Sequence, residues 1–195
     1  MKQTLIVFFL LLVAHLSFAR TYETSFSGTE SPISERGNWT SCGNVGLDWT
    51  NVATTSGLAF GTEPGNVGVS TAIVSGSWGA NQTVRATVRV LGSDNSEFED
   101  VQLRLRTSCS PHQTTGYEAR FSVKSGRGYT QIRRWNGSRG DVTILKEVPV
   151  AVKDGDVVKA SIVGDVITVY INERQVVSAT DSMRRVLCPK AKCSP

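Results

Sequence analysis

The chain has 195 residues, and 21 Lys and Arg against 17 Asp and Glu give it a formal net charge of +4. This excess is mild and forms no basic tract, so the sequence predicts no nucleic-acid partner. The length suits one domain that buries roughly 70% of the surface its unfolded chain exposes. Gly, Thr, Ser and Val are frequent, and blocks of helix-favouring residues are missing after residue 19, which predicts an all-β protein.

The first 19 residues have the pattern of a signal peptide. Lys2 supplies a short basic start, residues 5–16 are apolar except for His15, and small residues stand at positions 17 and 19. The apolar run is shorter than the roughly 20 residues that cross a membrane, and an uncleaved anchor is the alternative. We expect cleavage after Ala19, no membrane span in the remainder, and secretion to the extracellular space or the periplasm.

Four cysteines remain in the exported part: Cys42, Cys109, Cys188 and Cys193. An even number in an exported chain favours disulfides, and four cysteines allow three connectivities. We prefer the pairs Cys42–Cys109 and Cys188–Cys193, because the last two are close in sequence and share a turn-prone tail; free thiols are the alternative. A zinc site is not expected, since no C-x-x-C motif occurs and His112 is the one histidine after residue 19.

The predicted strands are short throughout. In the first part of the chain, apolar segments lie between clusters of Gly, Asn and Ser, at 22–26, 38–40, 47–50, 57–61 and 66–74. Strict alternation of apolar and polar residues follows at 83–91, 101–106 and 117–124. A period of two indicates one buried and one solvated face, which is typical of antiparallel sheets.

Residues 117–182 predict five or six strands in all, at intervals of about ten residues, beginning with the segment at 117–124. Asn136-Gly137 is the sharpest turn signal, because a type I′ turn needs positive φ at both central positions. No linker, repeat or low-complexity segment divides the chain. Residues 20–182 therefore predict one β-sandwich domain, followed by a basic, Cys-containing tail at 183–195.

Three segments carry a resemblance to a known family: GYEARF at 116–121, YTQIRRWNG at 129–137, and KDGDVVKASIVGDVITVYINERQVVSATDS at 153–182. Their order resembles bacterial LamG-like, concanavalin A-type jelly-roll domains. The resemblance implies two antiparallel sheets packed face to face. It also implies a secreted domain, often a non-catalytic module associated with polysaccharides, although some relatives are glycosidases or lyases. Calcium is implied by this resemblance alone, and the residues otherwise predict no cofactor.

The sequence departs from that family pattern at two points. The usual Asn-Gly turn near residue 172 reads Asn172-Glu173-Arg174, so this hairpin needs a turn without glycine. After Asp181-Ser182 the family continues into a final apolar strand, whereas this chain continues with MRRVLCPKAKCSP. The final strand of the jelly roll is therefore either missing or replaced by residues 183–187, and a missing strand would leave an open sheet edge.

Arginines recur on the polar faces of the alternating segments, and neighbouring strands would bring them together. These residues are Arg85, Arg89, Arg104, Arg106, Arg120 and Arg133. A guanidinium pairs bidentately with a carboxylate or a sulfate, so the pattern predicts a binding face for an acidic glycan. The alternative is a solvated face whose arginines pair with Glu118 and other local acids.

Trp135 is the favoured aromatic residue for stacking on a sugar, because alternation puts it on the same face as Arg133. A position in the core is the alternative for this residue and for Trp39 and Trp49. Glu97 and Glu99 form the one paired-carboxylate pattern, but they follow a turn-like run and predict a solvated loop.

The sequence thus favours a secreted, non-catalytic module that binds a polysaccharide or a cell-surface glycan. A polysaccharide-active hydrolase or lyase and a structural domain without a ligand are the alternatives. No catalytic residue and no metal ligand is assigned. Asn38, Asn81 and Asn136 each begin an N-x-(S/T) sequon, which has a consequence only in an organism that glycosylates.

Overall fold

The computed structural model describes residues 20–42, 46–63, 68–91, 100–124, 126 and 128–182. Within these residues the secondary structure consists of β-strands and no helix. No described helix is therefore long and apolar enough to span a bilayer. The predicted signal peptide, Glu97, Glu99, Cys188, Cys193 and the tail at 183–195 lie outside the described residues.

Twelve strands occur in the described part of the chain. In order they are β1 (Trp39–Thr40), β2 (Val52–Thr55), β3 (Leu58–Gly61), β4 (Ile73–Val74), β5 (Gln82–Thr87), β6 (Asp100–Ser110), β7 (Gln113–Ser122), β8 (Thr130–Gly137), β9 (Val142–Val148), β10 (Val157–Val163), β11 (Val166–Ile171) and β12 (Arg174–Thr180). Two four-stranded sheets have the orders β6-β7-β8-β9 and β12-β11-β10-β5, and two-stranded ribbons pair β1 with β4 and β2 with β3. Every pairing of these strands is antiparallel, which confirms the predicted all-β sandwich.

The core lies between the two four-stranded sheets. Leu103, Ala119 and Ile132 are register neighbours on β6, β7 and β8, and each is at most 7% exposed. Ala160 and Ile167 are fully buried on the facing sheet and belong to the same apolar cluster. Alternation places every second residue of these strands in this cluster, so the remaining residues of β6–β9 form a second face outside it.

Two turns were expected from the sequence, and the structure places one of them where it was expected and the other at different residues. Asn172 and Glu173 have φ values of 50° and 63° between β11 and β12, as a two-residue turn with positive φ at both positions requires. The turn therefore forms without glycine, and the Asn172 amide is held by Asp156 Oδ1 at 2.9 Å. The turn expected at Asn136-Gly137 lies further on, because β8 continues through Gly137 and residues 138–141 form the reversal.

The segment before β2 covers the second face of the β6–β9 sheet. Leu47 and Trp49 form a buried cluster with Trp135, and they are 2%, 6% and 7% exposed. A disulfide between Cys42 and Cys109 ties this segment to β6, with Cα atoms 6.0 Å apart. The predicted Cys42–Cys109 pairing is thus confirmed. Because of this cover, part of the polar face of the sheet is buried instead of solvated.

Candidate functional site

A row of three charged residues crosses the covered face of the β6–β9 sheet. Arg104 on β6 pairs in register with Glu118 on β7, and Glu118 pairs in register with Arg133 on β8. Directly opposed residues on one face have Cβ atoms about 5 Å apart, which is close enough for ion pairs. The row follows from alternation, since Glu118 lies between the core residues Tyr117 and Ala119.

Glu118 is the centre of this row and has no solvent exposure. Its Oε2 lies 2.9 Å from Arg104 Nη2 and accepts a hydrogen bond from Trp135 Nε1 at 2.8 Å. Its Oε1 lies 3.2 Å from Arg133 Nη1. A buried carboxylate is tolerated only when it is paired. Oε2 has the hydrogen bond from Trp135 and the charge of Arg104, whereas Oε1 has the charge of Arg133 but no hydrogen bond with a described residue.

Two tryptophans enclose the Arg104 end of the row. The Arg104 Cζ atom lies 4.4 Å from the ring centroid of Trp49 and 5.5 Å from that of Trp135. The two rings meet edge to face with centroids 5.0 Å apart. Burial lowers the pKa of Arg104, Glu118 opposes that effect, and the charge of Arg133 adds to it. The Arg104 side chain is 8% exposed, so Arg104 lies below the surface and acts by pairing with Glu118.

A second ion pair lies next to the row on the same face. Arg120 Nε donates to Asp100 Oδ2 at 2.6 Å, and Arg120 Nη2 pairs with the same oxygen. The Arg120 Cζ atom lies 5.2 Å from the ring centroid of Tyr129. Burial alone would lower the pKa of Arg120, but the hydrogen bond and charge of Asp100 raise it. Burial and the charge of Asp100 also raise the pKa of Tyr129, so the phenol is protonated at neutral pH.

The two outer arginines each have at least one guanidinium nitrogen without a described partner. Arg120 Nη1 and Arg133 Nη2 make no hydrogen bond or ion pair with any residue that the structure describes. Their side chains reach solvent, at 22% and 14% exposure. Together with Arg104 they carry three positive charges, whereas Asp100 and Glu118 carry two negative ones, which leaves a net charge of +1. We call Asp100, Arg104, Glu118, Arg120, Tyr129 and Arg133 the arginine face.

Four of the predicted ligand-binding residues therefore come together: Arg104, Arg120, Arg133 and Trp135. Arg85 does not join them, because it lies on β5 in the other sheet. Its side chain is 63% exposed, and its Nη1 lies 4.0 Å from Glu173 Oε1. Alternation predicted that Arg85 lies on the polar face of its strand, but it could not predict which sheet contains that strand. Trp135 is on the expected face, although its ring is covered by Trp49.

Arg106 is turned away from the arginine face by a β-bulge in β6. The register between β6 and β7 shifts between Leu105 and Ser108, and Arg106 has a φ of 50°. Its guanidinium donates to the carbonyl oxygens of Ala80 at 2.6 Å and Gly164 at 2.8 Å. Opposite the bulge, a Cβ on Gly116 would lie 2.8 Å from the Arg106 carbonyl oxygen. Arg106 thus connects β6 to loops next to the other sheet.

Two residues of this region, Tyr129 and Gln131, were not singled out from the sequence. Asp100 was considered only as the last residue of the acidic run that begins at Glu97, which was expected to be a solvated loop, whereas its side chain is 6% exposed. Gln131 could have been found, since alternation puts it on the face of Arg133. Asp100 and Tyr129 lie at strand ends, where alternation gives no signal. Among the described residues, no three His, Cys, Asp or Glu side chains come together as metal ligands.

No protein-family model matches the chain, and no curated protein matches it. Among solved structures, the carbohydrate-binding module CBM66 from Bacillus subtilis is similar, with 18% sequence identity and a TM-score of 0.47. The alignment covers 77% of this chain and 84% of that module. At this identity and TM-score, no residue role is carried from that module to this chain.

Proposed function

We propose that this protein is a secreted, non-catalytic module that binds acidic glycans at the arginine face. One observation carries the proposal: Arg120 and Arg133 each form an ion pair with a buried carboxylate, and each has a guanidinium nitrogen without a described partner on a side chain that reaches solvent. Asp100 and Glu118 are 6% and 0% exposed at their side chains. Guanidinium groups fixed in this way lose little rotamer freedom when a ligand binds, and such preorganisation favours affinity.

The chemistry of the face suits a carboxylated or sulfated sugar. An anionic oxygen can accept a charge-assisted hydrogen bond from each unpaired guanidinium nitrogen. Tyr129, half-buried beside Arg120, adds an aromatic surface of the kind that sugar sites use.

Export is supported by two features of the chain. Residues 1–19 have the pattern of a signal peptide, and the Cys42–Cys109 disulfide is compatible with an oxidising compartment outside the cytosol.

Lyase activity is the second candidate, because Tyr129 lies beside two arginines. Elimination from a uronate requires cations at the carboxylate and a base for the neighbouring proton. The raised pKa of Tyr129 disfavours the phenolate that would serve as this base. The geometry therefore supports binding better than elimination.

Isothermal titration of the purified protein with oligogalacturonate, heparin oligosaccharide and neutral dextran tests the proposal. We expect binding to at least one acidic polymer and not to dextran. Arg120→Ala and Arg133→Ala should each weaken it about tenfold, the effect of losing one charge-assisted contact. Arg85→Ala is the matched control, because it removes the same charge from the other sheet. Absence of binding to every polysaccharide would indicate a structural domain, and release of an unsaturated uronate product would indicate a lyase.

A further inference from the structure

Gln131 lies next to the arginine face on the same side of the sheet, and its side chain is an uncharged amide. It stands two residues before Arg133 on β8, in register with Arg120 on one side and Glu147 on the other. The residue is 8% exposed. An amide at this position adds one acceptor and two donors to a face that otherwise offers cations.

The orientation of the Gln131 amide is fixed by its neighbour. Gln131 Nε2 donates to Glu147 Oε2, and an ionised carboxylate can only accept. The nitrogen must therefore face Glu147, and Oε1 faces away from it. Gln131 Oε1 is buried and has no hydrogen-bond partner among the described residues.

A second buried atom on the same strand face is also without a partner. Arg133 Nε makes no hydrogen bond with any described residue and has almost no exposed surface. Glu118 Oε1, 3.2 Å from Arg133 Nη1, is a third buried atom without a hydrogen bond, so an acceptor lies close to the Arg133 guanidinium within the face itself. Gln131 Oε1 remains the acceptor that needs a donor. Buried polar groups are rarely left unpaired, so each such atom calls for a partner.

We propose that Gln131 is a specificity-determining residue that accepts a hydrogen bond from a ligand hydroxyl, while Arg120 and Arg133 hold the anionic group. This inference rests on the proposed function. Oε1 has almost no exposed surface, so neighbouring side chains must move on binding before the hydroxyl, or one water that the hydroxyl orients, reaches it. The ligand is then a sugar acid with a hydroxyl near its anionic group. A polyanion without hydroxyls, such as polyphosphate, satisfies the arginines and leaves Gln131 unpaired.

Glu147 is the positioning residue for this contact. Its side chain is exposed, so solvent and salt screen its charge, but it still repels any anion bound nearby. An acidic glycan offsets this repulsion through its hydrogen bond to Gln131, whereas an anion without hydroxyls does not. Replacing it with glutamine removes that charge and also removes the constraint on the Gln131 amide, which can then turn either atom towards the ligand.

The test is the affinity ratio between an acidic glycan and inorganic polyphosphate of matched charge, measured by titration of the full protein. Oligogalacturonate and heparin oligosaccharide form separate arms, which distinguish a carboxylate from a sulfate as the anionic group. We expect Gln131→Met to weaken binding of the preferred acidic glycan about tenfold, as the loss of one hydrogen bond predicts, and to leave polyphosphate within about twofold. Gln175→Met, on the other sheet, is the matched control.

Glu147→Gln gives a second readout at an exposed position, so that misfolding of the Gln131 variant does not decide the outcome. It should strengthen polyphosphate binding and lower the glycan preference. If the unsubstituted protein binds no acidic glycan, the proposed function itself fails. If it binds, but Gln131→Met and Glu147→Gln leave the affinity ratio unchanged, the inference about Gln131 is wrong and the proposed function stands.

Discussion

Arg133 and Glu118 face each other across β8 and β7, with Arg133 Nη1 3.2 Å from Glu118 Oε1. The carboxylate has no solvent exposure, so this contact is made in a poorly screened environment. The same carboxylate holds Arg104 and the Trp135 indole. The position of the Arg133 guanidinium thus depends on Glu118, a buried residue that does not reach the surface.

Replacing Glu118 with glutamine should destabilise the protein strongly. Arg104 and Arg133 would be left close together without their counter-charge, and breaking a buried ion pair costs about 3–5 kcal/mol. Urea unfolding measures the loss in free energy of unfolding. Glu173→Gln is the control, because that carboxylate is exposed and pairs with Lys159 at the surface, and we expect no measurable loss there. Equal losses in the two variants would contradict the role assigned to Glu118.

Replacing Trp135 with phenylalanine should lower stability more than binding. The change removes the hydrogen bond from Nε1 to Glu118 and reduces the contact with Trp49, which together predict a loss of about 1–3 kcal/mol. Since the Trp135 ring is covered, acidic-glycan affinity should stay within a few fold. Urea unfolding and titration calorimetry separate the two effects. A stable variant that has lost binding would show instead that the ligand contacts Trp135.

Removing the Cys42–Cys109 disulfide should loosen the segment that covers the arginine face. The bridge spans 67 residues, and loop-closure entropy for that length predicts a loss of about 4 kcal/mol. We expect the Cys42→Ser, Cys109→Ser double variant to unfold at lower urea concentration. Trp49 should also become more accessible to acrylamide, as measured by fluorescence quenching. The double variant Cys188→Ser, Cys193→Ser is the control. An equal loss of stability in that variant would contradict a specific role of the Cys42–Cys109 bridge.

Stability at acid pH should depend on Glu35. Burial alone would raise its pKa, but hydrogen bonds from Thr24, Tyr22 and Trp39 lower it below the ordinary value of 4.5. A lowered carboxyl pKa contributes stability that is complete above the unfolded value and is lost as pH falls through the folded value. Unfolding measurements at neutral pH and below pH 4.5 should therefore show a steeper acid loss than in Glu35→Gln. The exposed Glu23→Gln serves as the control, and a parallel curve for Glu35→Gln would refute this assignment.

Much of the arginine face could be predicted from local sequence. Alternation put Arg104, Arg120, Arg133 and Trp135 on polar strand faces, and strand pairing brought them together. The same pattern gave no means of placing Arg85, because the sheet to which a strand belongs depends on non-local pairing. It also failed at Arg106, where one bulge changes the direction of a side chain.

The burial of Glu118 could not be predicted in this way. The sequence predicted a binding face for an acidic glycan, with a solvated face whose arginines pair with Glu118 as the alternative, and both readings leave Glu118 at the surface. Leu47 and Trp49 cover that face from a segment about 70 residues earlier, and the disulfide at Cys109 holds the segment in place. Polar alternation reports which face a side chain occupies, but not what else packs on that face.

By itself, the sequence determined the all-β class and the inward residues of the main strands, which follow from a period of two. It favoured the Cys42–Cys109 pair among three connectivities, because Cys188 and Cys193 are close in sequence, but it did not determine that pair. The tertiary structure alone decided which arginines meet, which tryptophan is covered and which carboxylate is buried. Those outcomes depend on strand order, register and the packing of distant segments, and they turn a row of alternating arginines into a preorganised face.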